Sequence, residues 1–539
     1  MQSTMQRVPL STNHLLERGN QFFDKREIVS RLPDKSFRRS TYSDLHRRSR
    51  QLALALVRAG VRQGEPVATL MWNHSWHMEA YFGIPAAGAV LHTLNLRLGP
   101  EDLAYIIADA GDRILLVDDV LLPLAEKLKP LVSFERIVVV PTTGAAAPSG
   151  CLDYERFIDV DATGYRYPEL DEEAACGMCH TSGTTGRPRG VVYSHRSTVL
   201  HSLAISLPDC LDLSCHDTVL AVTPMFHANS WGVPYAATMV GASLVFPGPH
   251  LTAEDLLDQM QQEQVTLALG VPTIWMTIQQ ALDESPTRWR LKRGMCMMVG
   301  GSAVPQAMIS AFEKHGLSIK HGWGMTELSP VGTLSWLKPE HVALSDEDQH
   351  RVRARQGLAL PLVELRIMGG NGPQPWDGKS AGELQARGPW VTGGYHNTPS
   401  DPDKVTPDGW LRTGDVASID ADGYMRISDR TKDLIKSGGE WISSVDLENA
   451  IMGHPAVAEA AVVAIRHPKW GERPLAVVVK KVGVEVTPDE LRAFLSPHFA
   501  HWQIPDDYAF VETLPRTSTG KFLKTKLRDD FQDRVSKTK

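Results

Sequence analysis

The sequence predicts an α/β fold. We expect a large N-terminal domain of doubly covered, mixed or parallel sheets plus a small β-barrel, followed by a small α+β C-terminal domain. Three features carry that expectation. Helical and strand periodicities alternate as far as about residue 321, the pattern of parallel strands with helices on both faces. Beyond Gly357 strand-like runs and glycines multiply, which suggests a small β-barrel or a distorted sheet. A unit of ordinary domain size then begins near Asp429-Arg430-Thr431-Lys432-Asp433, so the chain divides into 1–429 and 430–539.

The elements follow in order. Thr41-Tyr42-Ser43-Asp44 reads as a capping box, Leu45, Leu52 and Leu56 share one helical face, and Gly60 supplies the stop. Runs 66–71 and 113–117 read as buried strands, with 78–89 helical between them. The pattern recurs across 218–247, 265–269, 294–299 and 318–321, and the charged stretch 339–355 reads as a solvated excursion. In the C-terminal unit Ser443 with Asp446 caps a helix, 460–465 and 475–479 are strands, and Thr487-Pro488-Asp489-Glu490 opens a further helix.

A chain of 539 residues has room for large buried cores, and its 42% hydrophobic and 22% charged residues are those of a globular protein. The net charge of −7 argues against a nucleic-acid surface, so any anionic ligand needs local positive charge. Residues 1–20 lack a basic start followed by an apolar core, so no secretory signal is visible. Residues 218–253 contain no Asp, Glu, Lys or Arg, yet Pro224, Pro234, Pro247 and Pro249 interrupt them. They read as buried strands and loops, with no transmembrane segment, and a cytoplasmic location is expected. Six cysteines in so long a chain make no disulfide framework. Cys176-Gly177-Met178-Cys179-His180 matches a haem-attachment spacing, but it lies on an apolar strand and both cysteines read as core residues.

That strand feeds Thr181-Ser182-Gly183-Thr184-Thr185-Gly186-Arg187-Pro188-Arg189-Gly190. Glycines let successive backbone N–H groups turn toward one point, hydroxyls add donors, and arginine forks suit phosphate. A phosphate-binding loop is the expectation. It is not a Walker loop, because no Gly-Lys-Ser/Thr occurs in it. The stretch resembles the signature loop of the adenylate-forming superfamily, which holds acyl-CoA synthetases, adenylation domains and luciferases. Arg189 stands where that family usually has lysine. Further matches follow in family order: Pro224-Met225-Phe226-His227, Gly300-Gly301-Ser302, Gly322-Trp323-Gly324-Met325-Thr326-Glu327 and Thr413-Gly414-Asp415. Asp429-Arg430 with Lys432-Asp433, Lys436-Ser437-Gly438-Gly439-Glu440-Trp441 and Pro515-Arg516-Thr517-Ser518-Thr519-Gly520-Lys521 complete the series.

The resemblance implies a ligase that joins a carboxylic acid to the α-phosphate of ATP, expels pyrophosphate and passes the acyl group to CoA. A carboxylate, with a pKa of about 4, needs no general base, so such a site calls for cationic clamps. By the family pattern Thr181, Ser182, Gly183, Thr184, Thr185, Gly186, Arg187 and Arg189 hold the β- and γ-phosphates. Gly300, Gly301, Ser302, Gly322, Trp323, Gly324, Met325 and Thr326 border the nucleotide, with Trp323 against adenine. Asp415 with Arg430 takes the ribose, and Thr184 and Glu327 hold Mg²⁺. Lys521 is the catalytic lysine on a mobile small domain, Lys432 is its hinge, and Lys436, Gly438, Gly439, Glu440 and Trp441 line the CoA path. His227, catalytic as well, borders the acyl pocket with Trp231, Gly301 and Val331. Read without the family, Glu327 is a helix-start carboxylate, Trp323 a core aromatic and His227 a satisfied core histidine.

Apolar neighbours at Val233, Val271, Val299 and Val331 predict an aliphatic tail. The motifs look most like bacterial medium- and long-chain fatty acyl-CoA ligases. Alternatives are a 3-methylmercaptopropionate–CoA ligase and a stand-alone adenylation enzyme that loads a carrier protein. Relatives of this kind are often homodimers; the sequence itself does not give the oligomeric state.

Overall fold

The computed structural model describes residues 1–181, 187–438, 440–517, 521–532 and 534. Its N-terminal part is built on two large sheets. The first has seven strands in the order Leu152–Asp153, Arg136–Val140, Ile114–Asp118, Pro66–Leu70, Val90–Thr93, Ala175–His180 and Gly190–Ser194. Every neighbouring pair is parallel except the last, where Gly190–Ser194 returns antiparallel to Ala175–His180. The second has nine strands. Its central strands Ser318–Gly324, Cys296–Val299, Leu267–Gly270, Thr218–Ala221, Ser243–Phe246 and Glu27–Arg31 are parallel in that order, with antiparallel strands at both edges.

Side chains alternate across each strand, so one strand feeds two cores. Leu116 points into a central core that also holds Val219, Leu267 and Leu269 of the other sheet. Its neighbours Leu115 and Val117 pack instead with Leu103 and Ile106 of the helix Pro100–Ala110. Likewise Leu220 and Ala268 face an outer core with Trp275 and Phe312. The central core thus glues the two sheets together, and helices cover their outer faces.

Strands Gly372–Pro373, Glu364–Gly369, Gly382–Arg387, Leu411–Ile419 and Met425–Arg430 form a fully antiparallel sheet. Of the two forms expected for this strand-rich region, a small β-barrel or a distorted sheet, it takes the sheet: among the described residues two edge strands remain and it stays open. Closure depends on strand tilt and stagger, which local periodicity does not encode. The C-terminal unit has the sheet order Glu440–Ile442, Ile435–Ser437, Gly471–Lys480, Val457–His467, and Asp507–Phe510 pairs parallel with Gly471–Lys480. Helices Ser444–Met452 and Pro488–Leu495 pack on one face, and Lys524–Asp530 on the other.

All three capping motifs form. Thr41, Ser443 and Thr487 accept from the backbone N–H of Asp44, Asp446 and Glu490. Two other expectations need correction. The charge-free interval holds a helix, Val233–Val240, where only strands and loops were expected; Pro234 sits in its first turn, where a missing N–H costs nothing. The helix expected at 78–89 runs Ser75–Ala86 and is followed by a separate strand, Val90–Thr93. Apolar burial on every side, from Trp76 to Leu91, hides that boundary from a periodicity reading.

Candidate active site

Parallel strands of both sheets end at one place, as expected of the crevice at the carboxyl ends of an α/β sheet. Thr218–Ala221 runs out into Thr223 and Pro224, Cys296–Val299 into Gly300 and Gly301, and Ala175–His180 into Thr181. The cavity they enclose measures about 360 Å³. Among its described lining residues are the Lys or Arg side chains at 97, 187, 189, 404, 412, 430, 432 and 521, and one carboxylate, Glu327. A chain of net charge −7 therefore concentrates positive charge at this crevice. An adjoining cavity of about 250 Å³ shares Gly301, Trp323, Arg430, Lys432 and Lys521 with it and adds Ser302 and Asp415.

At the loop expected to bind phosphate, the Thr181 N–H donates to the Arg189 carbonyl at 3.0 Å, and the Arg189 N–H donates to Thr181 Oγ1 at 3.1 Å. The loop is thereby pinched at its two ends; Ser182, Gly183, Thr184, Thr185 and Gly186 lie outside the described residues. The Arg187 guanidinium stands over Tyr105 and that of Arg189 over Tyr395, each 5.1 Å from the ring centroid. Behind the loop runs a buried chain: His180 Nε2 to Asp109 at 3.1 Å, His180 Nδ1 to His92 Nε2 at 3.0 Å, and His92 Nδ1 to Asp112 at 2.7 Å. Burial and the neighbouring His92 lower the His180 pKa to about 4.

Trp323 joins two readings. It is 7 % exposed and packs with Leu328 and Ile367, yet it borders both cavities, and its Nε1–H donates to Asp415 Oδ2 at 2.8 Å. Arg430 pairs with Asp415 Oδ1 at 3.2 Å. Glu327, 8 % exposed, lies in the single turn Thr326–Leu328 and accepts from the Tyr395 hydroxyl at 2.8 Å. Lys521 reaches this group from the C-terminal unit. Its Cε would lie 3.5 Å from a Cβ placed on Gly301, whose φ is +89°. Burial and the nearby Arg430 lower the Lys521 ammonium to a pKa of about 8, against the opposing pull of Asp415 and Glu327.

On the apolar side, Ala228, Asn229, Ser230 and Trp231 all have φ between 44° and 57°, an unusual left-handed run of non-glycine residues. Local hydrogen bonds hold it: Ser230 Oγ donates to the Thr223 carbonyl at 2.8 Å, and Cys179 Sγ donates to Asn229 Oδ1 at 3.2 Å. The turn brings His227, Trp231, Val271 and Val331 to the wall of the larger cavity. His227 is kept near pKa 4 by burial, then by the charges of Lys521 and Arg97, so at neutral pH it offers a polar edge without charge.

The structure gathers Gly300, Gly301, Ser302, Gly322, Trp323, Gly324, Met325, Thr326, Glu327, Val331, Asp415, Arg430, Lys432 and Lys521 around these two cavities. It does not bring Lys436, Gly438, Glu440 and Trp441 there. Lys436 and Trp441 pair with each other at 5.4 Å on the surface of the C-terminal unit, and Gly439 lies outside the described residues. Cys176 and Cys179 are buried, as expected of core residues. Sequence reasoning missed Arg97, Tyr395 and Lys404. Arg97 follows the strand Val90–Thr93, which begins just past the helix expected at 78–89 and which no expected element covers; recognising that strand would have exposed it.

Residues 15–396 match the family described as AMP-binding enzyme, and residues 446–521 match the AMP-binding enzyme C-terminal domain. The chain is 50% identical to a long-chain-fatty-acid–CoA ligase of Thermus thermophilus, over 98% of this chain and 97% of that one. It is 44% identical to a 3-methylmercaptopropionyl-CoA ligase of Ruegeria pomeroyi, over 99% of both. An anthranilate CoA ligase solved with anthranoyl-AMP superposes with a TM-score of 0.86 at 26% identity, covering 98% of this chain and 99% of that one. The chain belongs to the AMP-binding enzyme family, within the adenylate-forming superfamily. Its activity is that of an AMP-forming acyl-CoA ligase, an acid–thiol ligase.

Proposed function

We propose that this ligase acts on aliphatic acids of medium or long chain and works through two half-reactions at one site. The observation that carries the reading is the position of Lys521, shared by the two cavities, with uncharged walls on one side and Asp415, Glu327 and clustered arginines on the other. In the first half-reaction the substrate carboxylate attacks the α-phosphorus of ATP, and the bond to the β-phosphate oxygen breaks to release pyrophosphate. Lys521 lies between the two anions and stabilises the charge that builds there. Arg187, Arg189 and the loop 181–186 hold the departing phosphates, Trp323 flanks adenine, and Asp415 accepts from the ribose hydroxyls.

Mg²⁺ fits this site. Glu327 is the one carboxylate among the described residues lining the larger cavity, and no cluster of three His, Cys, Asp or Glu occurs among the described residues. That donor set suits a cation that takes most of its ligands from phosphates and water, with Thr184 as a second protein ligand. When bound, the ion neutralises phosphate charge.

In the second half-reaction the CoA thiol displaces AMP from the acyl-adenylate. We divide the chain at 429/430 and place the hinge at Lys432, so that rotation withdraws Lys521 and brings 436–441 to the thiol path. A homodimer and a cytoplasmic location complete the reading on the resemblance alone; among the described residues no helix is long and apolar enough to cross a membrane. Loading of a carrier protein gives way to CoA, since the relatives are CoA ligases.

A panel of straight-chain acids from two to sixteen carbons, with 3-methylmercaptopropionate, tests the substrate. Each added methylene should raise kcat/KM severalfold until the pocket is full, because burying one is worth about 0.8 kcal/mol. A peak at 3-methylmercaptopropionate replaces the fatty-acid reading. No pyrophosphate release with any aliphatic acid rejects both.

A further inference from the structure

The segment from Thr392 to Lys404 brings Tyr395 and Lys404 to the wall of the larger cavity, and it lies outside every motif named above. It is tied down at both ends of the phosphate site. The Thr392 N–H donates to the Glu327 carbonyl at 2.8 Å. The His396 N–H donates to the Gly190 carbonyl, just past the phosphate loop, also at 2.8 Å. A Cβ on Gly190 would sit 3.0 Å from that of His396, so glycine is what lets the segment lie so close. Asn397 Nδ2 donates to the Asp109 carbonyl at 2.8 Å, which anchors the same stretch to the helix beside His180.

Between those ties stands Tyr395, half-buried and lining the cavity. Its hydroxyl donates to Glu327 Oε1 at 2.8 Å. Its ring carries the Arg189 guanidinium at 5.1 Å from the centroid. Arg189 Nη1 also lies 3.5 Å from Asp401 Oδ2, in the same segment. One side chain thus touches both the carboxylate assigned to Mg²⁺ and the cation assigned to the terminal phosphates.

We propose that Tyr395 is a positioning residue that sets Glu327 and Arg189 relative to each other for the magnesium–triphosphate group. This deepens the functional reading above and rests on its assignment of those two residues. One hydroxyl donor orients Glu327 without exhausting a carboxylate, which has about four lone-pair positions. The ring gives a flat cation a face to lie on. It also accounts for arginine at 189 where lysine is usual: a guanidinium stacks on an aromatic face while its fork still reaches phosphate.

The test is binding without turnover. Calorimetry measures ATP at graded Mg²⁺, pyrophosphate with Mg²⁺, and AMP, in the absence of acid and CoA. Tyr395→Phe keeps the ring and removes the hydroxyl; the Mg²⁺ concentration that half-saturates ATP binding should rise about threefold to tenfold, the scale of one ordinary intramolecular hydrogen bond in a half-exposed site. Tyr395→Leu should in addition weaken pyrophosphate about fivefold, the scale of a partly desolvated cation–π contact. AMP, which lacks the terminal phosphates, should bind both variants as it binds wild type. Arg189→Lys should weaken pyrophosphate, and Tyr395→Leu added to it should cost less than it costs alone.

Wild-type Mg²⁺ dependence in Tyr395→Phe overturns the proposal. So do additive losses in the double variant, or an equal loss of AMP and pyrophosphate binding. Glu327→Gln and Arg189→Ala serve as separate checks. If they bind magnesium–ATP normally, the underlying site assignment fails; if they lose it while the Tyr395 variants do not, only the role of Tyr395 fails.

Discussion

Lys521 is a lysine whose charge is held in an unfavourable place. Burial and Arg430 work against its ammonium and lower its pKa to about 8, so the protonated form dominates at pH 7 and is lost as pH rises through 8. The stabilising species is the charged one, so the adenylation rate at low substrate should fall about tenfold between pH 8 and 9.2, following the protonated fraction. Pyrophosphate release measured across pH 6.5–9.5 checks this, and a flat profile speaks against the assignment. His227 titrates at the other extreme, near 4, and should leave no mark in that range. Glu327, Asp415 and Lys521 were singled out by the family resemblance of the short motifs that hold them, and the fold brings all three to the two cavities. Tyr395 and Arg97 were not, because their neighbours carry no such pattern and only the fold brings them to the cavity.

At the scale of elements, the helix Ser444–Met452 connects the site to the C-terminal unit. Its first residue, Ser444, donates from N–H and Oγ to Asp429 Oδ2 at 2.6 and 2.5 Å, at the end of the strand Met425–Arg430. A carboxylate there also complements the helix dipole. Lys524, three residues beyond Lys521, donates to Ser444 Oγ at 2.6 Å and pairs with buried Glu448 at 2.7 Å. Lys524→Met strands a buried carboxylate and should destabilise the protein by about 3–5 kcal/mol. Glu448→Gln together with Lys524→Met should recover part of that, as read by thermal unfolding; strictly additive losses would show the pair to be uncoupled. Capping boxes at Thr41 and Thr487 were readable because every partner lies within three residues. The strand Val90–Thr93 and the open edges of the sheet ending at Arg430 were not, since both are fixed by long-range pairing.

For the whole molecule, the arrangement places Lys521 at the two cavities while Lys436 and Trp441 stand away from them. On the proposed function, this placement of the C-terminal unit suits the adenylation step, and thiol entry needs another. Lys432→Pro fixes one backbone torsion at the proposed hinge. It should leave ATP–pyrophosphate exchange within about threefold of wild type while thioester formation falls at least tenfold, a split of about 0.7 kcal/mol or more. Equal loss of both places the pivot elsewhere. A large sheet-based unit followed by a small one was foreseeable from the alternation of helical and strand patterns; which face of the small unit meets the cavity was not, because that depends on surfaces far apart in sequence.

The most direct measurement compares the two half-reactions in Lys521→Ala. ATP–pyrophosphate exchange should drop by about three orders of magnitude, roughly 4 kcal/mol of lost charge stabilisation, while transfer from preformed acyl-adenylate to CoA stays within a few-fold of wild type. Near-normal exchange in that variant, or equal loss of both steps, would contradict the account.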